Sequence, residues 1–124
     1  MSNETPMHTP FAFSVSEENG IVVIDAAGPL NSRYSPMLRD AIKKAYTNHV
    51  KHVVVNVGEI HYMDSSGLAT LVEGVQLAET HGGKFVLAGT IHEKVFHLFE
   101  ITRLDDLFVN YPSVQEARTQ LAQL

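Results

Sequence analysis

The sequence predicts an α/β domain in which a mixed, mainly parallel sheet packs against helices, in the order β-β-α-β-α-β-α-β-α. Two observations carry this prediction. Strand and helix patterns alternate along the chain from Phe11 onward, and the run HVVVNV is nearly continuous and β-branched. Such runs are typical of strands that are buried on both faces of a sheet by covering helices. The length of 124 residues suits one domain with a single core.

The first half of the chain predicts a β-hairpin followed by a helix. The segment FAFSVSE alternates apolar and polar residues, as a half-buried strand does, and an Asn-Gly turn signal joins it to a second strand, IVVIDAAG. Ser35 followed by Pro36 fits an N-cap with proline at the first helical position. The inward residues predicted here are Phe11, Phe13 and Val15 in the first strand and Leu38, Ala41, Ile42, Ala45 and Tyr46 in the helix.

The second half predicts three further helices, separated by short strands. KHVVVNVG, KFVLAG and LFVNY are the strand patterns, and a Gly-Gly pair after His81 is expected to end the first of these helices. Capping-box patterns at Thr90 to Glu93 and at Ser113 to Glu116 are expected to open the other two. The predicted inward residues are Leu68, Leu71, Val72 and Val75, then Val95, Leu98 and Phe99, then Val114, Ala117, Leu121 and Leu124.

Composition and charge exclude several classes of function. The chain has no cysteine, which excludes disulfides, thiol catalysis and Cys-ligated zinc. The net charge is −5 and the nine Lys and Arg residues are scattered, so no basic footprint for nucleic acid is present. The seven histidines show no metal-site spacing. We therefore expect no metal, no cofactor and no nucleic-acid partner.

The sequence also predicts a cytoplasmic protein without direct membrane contact. No apolar run reaches the roughly 18 residues of a membrane span, and the segment MSNETPMHTP lacks the features of a signal peptide. Two prolines and polar residues make residues 1–10 a predicted flexible leader, and the domain itself is predicted to occupy residues 11–124.

The stretch Asp64-Ser65-Ser66-Gly67 stands where the central strand should pass into a helix, and the residues allow more than one interpretation. Asp64 and the serines fit a simple helix N-cap. Gly67 costs a helix about 0.5–1 kcal/mol relative to alanine, which suggests close approach of a packed strand or of a docking partner. A serine at a helix N-terminus also suits a phosphate, which would add charge beside Asp64 to a surface that a partner could use. The nucleophile elbow and both glycine-rich nucleotide motifs are missing, so an enzyme is not expected.

The segment VVVNVGEIHYMDSSGLATLVEGVQLAETHGGKFVLAG resembles the centre of STAS domains, in particular of anti-sigma factor antagonists. The resemblance continues through VFHLFEITRLDDLFVNYPSVQEA, and the glycine and leucine of GPLN match the family's turn after the second strand. It covers about residues 11–124. The resemblance implies a protein that binds an anti-sigma factor, usually an ATP-using serine kinase, and so frees a sigma factor. The kinase then phosphorylates the antagonist and releases it, and a metal-dependent serine phosphatase resets the switch.

Carried onto this chain, the resemblance implies that Ser65 is the phosphoacceptor and that Asp64, Ser66 and Gly67 shape its site. Asn31 stands where many family members carry an acidic residue, which leaves open a difference in partner choice or rate. A constitutive STAS module, serving a transporter, a lipid-transport system or a small ligand without phosphorylation, stays open as the alternative. The residues implied in partner binding are Gly28, Leu30, Asn31, Asp64, Ser65, Leu68 and Thr70.

Overall fold

The computed structural model describes residues 10–124, so the predicted leader lies outside the described residues except for Pro10. The order of elements is the predicted one. The elements are β1 (Ala12–Glu18), β2 (Ile21–Ala27), α1 (Ser35–Thr47), β3 (His52–Glu59), α2 (Ser65–His81), β4 (Lys84–Ala88), α3 (Glu93–Ile101), β5 (Asn110–Tyr111) and α4 (Val114–Leu121). The start of the domain at residue 11 stays a prediction.

The five strands form one sheet in the order β1-β2-β3-β4-β5. The hairpin partners β1 and β2 are antiparallel, and every other neighbouring pair is parallel, which makes the sheet mixed and mainly parallel as predicted. The strand β3 lies at the centre and is buried on both faces, which explains its continuous apolar sequence.

The helices cover both faces of the sheet unequally. The larger core contains side chains of α1, α2 and α3, including the fully buried Tyr46, Leu71 and Phe99. On the opposite face, Ala117 and Leu121 of α4 pack in a smaller cluster with residues of β2, β3 and β4. Because parallel neighbours β2, β3 and β4 run side by side, the loops after them open at the same edge of the sheet. No helix within residues 10–124 combines the length and the apolar character that crossing a membrane requires.

Two strand predictions need correction. Val15 was expected to be buried, but it is 52% exposed because β1 is an edge strand and an open groove separates this part of it from α1. The predicted strand LFVNY is reduced to Asn110–Tyr111, since the chain is still turning at Leu107 and Phe108. Phe108 is nevertheless buried, against Phe99, so its apolar side chain serves the core from a turn.

The helix ends follow the prediction in part. Gly82 ends α2 in the left-handed conformation, and Ser113 caps α4 by accepting the N–H of Glu116 at 3.1 Å. The capping box at Thr90 is wrong, because the imidazole of His92 supplies the cap of α3. Leu124 is 65% exposed, since α4 already ends at Leu121.

The predicted N-cap of α1 is also wrong. Ser35 is the first helical residue, and its buried hydroxyl donates to the carbonyl oxygen of Asn31 at 2.8 Å. The cap position belongs to Tyr34, which makes no side-chain capping bond. Proline does stand in the first turn, as expected.

Candidate functional site

Two loops meet at the edge of the sheet where β2 and β3 end. We call residues 28–34 the β2–α1 loop and residues 64–67 the DSSG turn. The N–H of Leu30 donates to the carbonyl oxygen of Tyr62 at 3.0 Å, and the N–H of Asp64 donates to the carbonyl oxygen of Leu30 at 3.2 Å. Parallel pairing of β2 with β3 brings the loops together, and these bonds hold them in one surface.

Asp64 is the N-cap of α2 and also a bridge between the two loops. One carboxylate oxygen accepts the N–H of Ser66 at 3.0 Å, the N–H of Gly67 at 3.1 Å and the hydroxyl of Ser66 at 2.6 Å. The other oxygen accepts the N–H of Ser32 at 3.2 Å. The predicted capping role is therefore present, together with a long-range contact that the local pattern did not reveal.

The hydrogen bonds keep the Asp64 carboxyl ionised. Partial burial acts to raise its pKa, but the bonds donated by the Ser66 hydroxyl and by the amides of Gly67, Ser32 and Ser66 outweigh burial and lower the pKa. A carboxyl whose pKa is lower in the folded state stabilises the fold above its unfolded pKa. That stabilisation is lost as the pH falls through the folded pKa.

Replacing Asp64 tests both of its roles. Asp64→Ala should lower the free energy of unfolding by about 2 kcal/mol at pH 7, because an N-cap and a charge-assisted bond disappear together. Asp64→Asn should lower the free energy of unfolding by about half as much, since the amide oxygen can still cap α2. The bond to Ser32 would be lost, because the amide NH₂ and the Ser32 N–H are both donors. Urea unfolding at pH 7 measures both values.

The same series has a control and a pH dependence. Asp106→Asn removes an exposed carboxylate elsewhere and should change the free energy of unfolding by less than about 0.5 kcal/mol. The difference between wild type and Asp64→Asn should shrink as the pH falls through the lowered pKa of Asp64 and the carboxyl protonates. A difference that stays constant, or grows, over that fall in pH would contradict the ionised bridge.

The two serines of the DSSG turn stand in different environments. Ser65, the first residue of α2, is exposed. Ser66 is half-buried, and its hydroxyl donates to Asp64 and lies 3.3 Å from the hydroxyl of Ser35. The carbonyl oxygen of Ser66 also accepts the hydroxyl of Thr70 at 3.1 Å. Only Ser65 therefore presents its side chain outward for a reaction at this turn.

Gly67 is required by the packing of the two loops. A Cβ on Gly67 would stand 2.5 Å from the carbonyl oxygen of Leu30, 2.8 Å from Leu30 Cγ and 2.9 Å from Met63 Cγ. These distances leave no room for a side chain. The sequence suggested a packed strand or a docking partner as the reason for Gly67, but the close approach is made by Leu30 of the chain's own β2–α1 loop and by Met63.

Three of the residues implied in partner binding have buried side chains. Leu30 is 0% exposed, and Leu68 and Thr70 are buried as well. Leu30 and Leu68 pack in the core beneath the two loops, and Leu68 also lines a groove beside Ser65. The part of these three residues in partner binding stays a prediction, and burial implies that they act mainly by supporting the two loops.

The β2–α1 loop is shaped by Asn31 and Gly28. The amide oxygen of Asn31 accepts the N–H groups of Arg33 at 3.0 Å and Tyr34 at 3.3 Å, which fixes the turn before α1. Gly28 has a φ of +105°, and a Cβ there would stand 2.6 Å from the carbonyl oxygen of Pro10. An acceptor at position 31 thus has a structural use that does not depend on its charge.

The structure adds exposed residues that sequence reasoning missed. Arg33 is exposed in the β2–α1 loop, Tyr62 is exposed just before the DSSG turn, and Ala69 is exposed one turn along α2 from Ser65. A shallow groove runs from Ser65 along α2 toward Leu104. No local signal marks this groove, because Leu104 comes from the segment after α3. Within residues 10–124, no group of three or more His, Asp or Glu side chains could hold a metal ion.

Known proteins resemble this chain in sequence. A sequence model described as the STAS domain matches residues 12–117. Among curated proteins, the anti-sigma-B factor antagonist of Listeria monocytogenes is 29% identical over 84 residues, which are 68% of this chain and 73% of that protein. The anti-sigma F factor antagonist of Paenibacillus polymyxa is 23% identical over 108 residues, or 86% of this chain and 92% of that protein.

Solved structures share the fold over most of their length. An anti-sigma factor antagonist from Mycobacterium paratuberculosis superposes with a TM-score of 0.79 at 20% identity, covering 91% of this chain and 95% of that chain. The unphosphorylated form of the anti-sigma factor antagonist SpoIIAA gives 0.79 at 22% identity, covering 91% and 98%. SpoIIAA of Bacillus has also been solved in a phosphorylated form, with a TM-score of 0.70 at 22% identity, covering 88% of this chain and 98% of that chain.

Proposed function

Because the chain belongs to the STAS domain family, we propose that it is an anti-sigma factor antagonist that is inactivated by phosphorylation of Ser65. In this proposal the unphosphorylated chain binds an anti-sigma factor with serine kinase activity in the cytoplasm and so frees a sigma factor. The chain itself is not an enzyme, and a serine phosphatase restores the unphosphorylated form. The named antagonists among its relatives support the general role.

The observation that carries the proposal is the difference between the two serines. Ser65 is exposed at the first position of α2, whereas the Ser66 hydroxyl is held by Asp64 at 2.6 Å. In the proposed reaction a bond forms between Ser65 Oγ and the γ-phosphorus of ATP as the bond to the ADP oxygen breaks. The hydroxyl proton passes to a base of the kinase. Ser66 would have to break its bond to Asp64 first.

The surroundings of Ser65 explain how a phosphate could switch binding without unfolding the domain. A helix N-terminus normally neutralises an anion through its free N–H groups. Here the Asp64 carboxylate already accepts the N–H groups of Ser66 and Gly67. The phosphate would therefore point outward and add about −1.5 to −2 charges beside an existing carboxylate. A partner surface that fits the neutral serine would meet concentrated negative charge.

The proposal predicts which serine accepts phosphate. Wild type and Ser66→Ala should each take up one phosphate when incubated with ATP and a lysate of the organism that encodes the chain. Ser65→Ala should take up none, because the only outward-facing hydroxyl of the turn is gone. Intact-mass spectrometry with peptide mapping measures this result.

Unfolding curves provide the control for that experiment. Ser65→Ala should unfold at nearly the wild-type urea concentration, since it deletes an exposed hydroxyl. Phosphate that disappears in Ser66→Ala and persists in Ser65→Ala would refute the assignment. Absence of phosphate in every variant under conditions that keep kinases active would favour the constitutive binding module instead.

A further inference from the structure

A cavity lies at the end of the sheet opposite the DSSG turn. Its volume is about 400 Å³, which is within the range of small-molecule sites. It is lined by His52, which begins β3, whereas Ser65 follows the end of that strand. Lys51 and Arg118 of α4 also line it. The proposed switch uses none of these residues.

His52 presents a buried donor that the protein does not satisfy. The side chain is 3% exposed, and its Nδ1 accepts the N–H of Lys84 at 3.0 Å. The hydrogen of the neutral ring is therefore on Nε2. Burial, reinforced by the charges of Lys51 and Lys84, lowers the pKa of His52 and keeps the ring neutral. Within the described chain, Nε2 is buried without a hydrogen-bond partner.

Arg118 supplies a second donor of the same kind. Its Nη1 donates to Glu18 at 2.8 Å, but its Nε is buried and has no partner within residues 10–124. Buried polar groups in proteins are nearly always paired, since an unmade bond costs free energy. Both unpaired donors belong to residues that line the same cavity, and two such donors together call for an acceptor.

We propose that this cavity binds a small organic molecule through an oxyanion group, a phosphate or a carboxylate. Both unpaired groups are N–H donors, and the charged residues that line the cavity are two cations, Lys51 and Arg118, and one carboxylate, Glu18. Oxygen atoms of an anion accept such donors well, and the cations favour its charge. Because both nitrogens are shielded from solvent, binding includes a rotation of the partly exposed Arg118 side chain. The site is independent of Ser65.

Nuclear magnetic resonance of the full-length chain tests the proposal with inorganic phosphate and acetate as separate probes at constant ionic strength. The Nε2–H resonance of His52 should shift and saturate with one of the anions, which identifies the group as phosphate or carboxylate. Arg118→Met should weaken that binding by at least about tenfold, since it removes a donor and a cation. The exposed Lys94→Met on α3 removes the same charge elsewhere and should leave the binding unchanged.

Two results would overturn the site. The first is a His52 resonance that neither anion moves in a saturable way. The second is a shift of equal strength in wild type and in Arg118→Met. If Arg118→Met does not fold, Lys51→Met takes its place, because Lys51 lines the same cavity. We then expect Lys51→Met to bind the anion more weakly than Lys94→Met does. Equal binding by the two variants would contradict the proposed site.

Discussion

Replacement of Gly67 by alanine is expected to lower the free energy of unfolding by about 2 kcal/mol. The new Cβ would stand 2.5 Å from the carbonyl oxygen of Leu30, which is a backbone atom and cannot rotate away. Overpacking of this kind costs about 1–3 kcal/mol, and the better helix propensity of alanine offsets at most about 1 kcal/mol. The β2–α1 loop must move, so the affinity for the partner should fall as well.

Urea unfolding of Gly67→Ala beside Gly58→Ala measures this effect. Gly58 is a matched control because its Cβ would meet no atom closer than 3.4 Å and its φ is not positive. Gly58→Ala should therefore stay within about 0.5 kcal/mol of wild type. A Gly67→Ala protein as stable as wild type would show that the two loops do not pack as closely as described.

Replacement of Ser65 by aspartate is expected to weaken binding of the proposed partner, an anti-sigma factor, by about 100-fold. The substitution places a second carboxylate beside Asp64, whose own charge is held at the α2 N-terminus. Like charges that must be desolvated together in an interface cost several kcal/mol, and about 2.7 kcal/mol corresponds to 100-fold. Ser65→Ala should bind like wild type, because it removes only an exposed hydroxyl. Titration calorimetry with the purified partner measures the three dissociation constants.

A charge control separates a local effect from a change in net charge. Gln115→Glu adds one negative charge at an exposed position of α4, on the opposite face of the sheet, and should bind like wild type. Equal loss of affinity in Gln115→Glu and Ser65→Asp would mean that net charge, and not the position of Ser65, decides binding. Equal affinity of Ser65→Asp and Ser65→Ala would remove the physical basis of the switch.

Local patterns predicted most of the fold. The β-branched run at 52–57 identified the central strand, because burial on both faces leaves a continuous apolar sequence. Asp64 could be identified as a cap because its partners are two and three residues away. The same local logic failed at Ser35, whose hydroxyl is drawn toward Asn31 and Ser66 by the packing of α1 against α2.

Long-range contacts set the limits of sequence reasoning at the site. Leu30 and Ser65 lie in different loops, and only the fold shows that Leu30 is buried while Ser65 is exposed. The hydrogen bond between Asp64 and Ser32 joins residues 32 positions apart, so no local sequence pattern indicates it. The unpaired donor of His52 could not be predicted either, because a histidine within a β-branched run indicates only that the residue belongs to a strand.

The most direct test compares one preparation of the wild-type chain before and after phosphorylation by the proposed kinase. Peptide mapping establishes the modified residue, and titration calorimetry measures the affinity for the anti-sigma factor in each form. We expect a single phosphate on Ser65, loss of at least about 100-fold in affinity, and recovery of binding after a serine phosphatase removes the phosphate. A phosphate at another residue, or equal affinity of the two forms with Ser65 fully phosphorylated, would contradict the proposed switch.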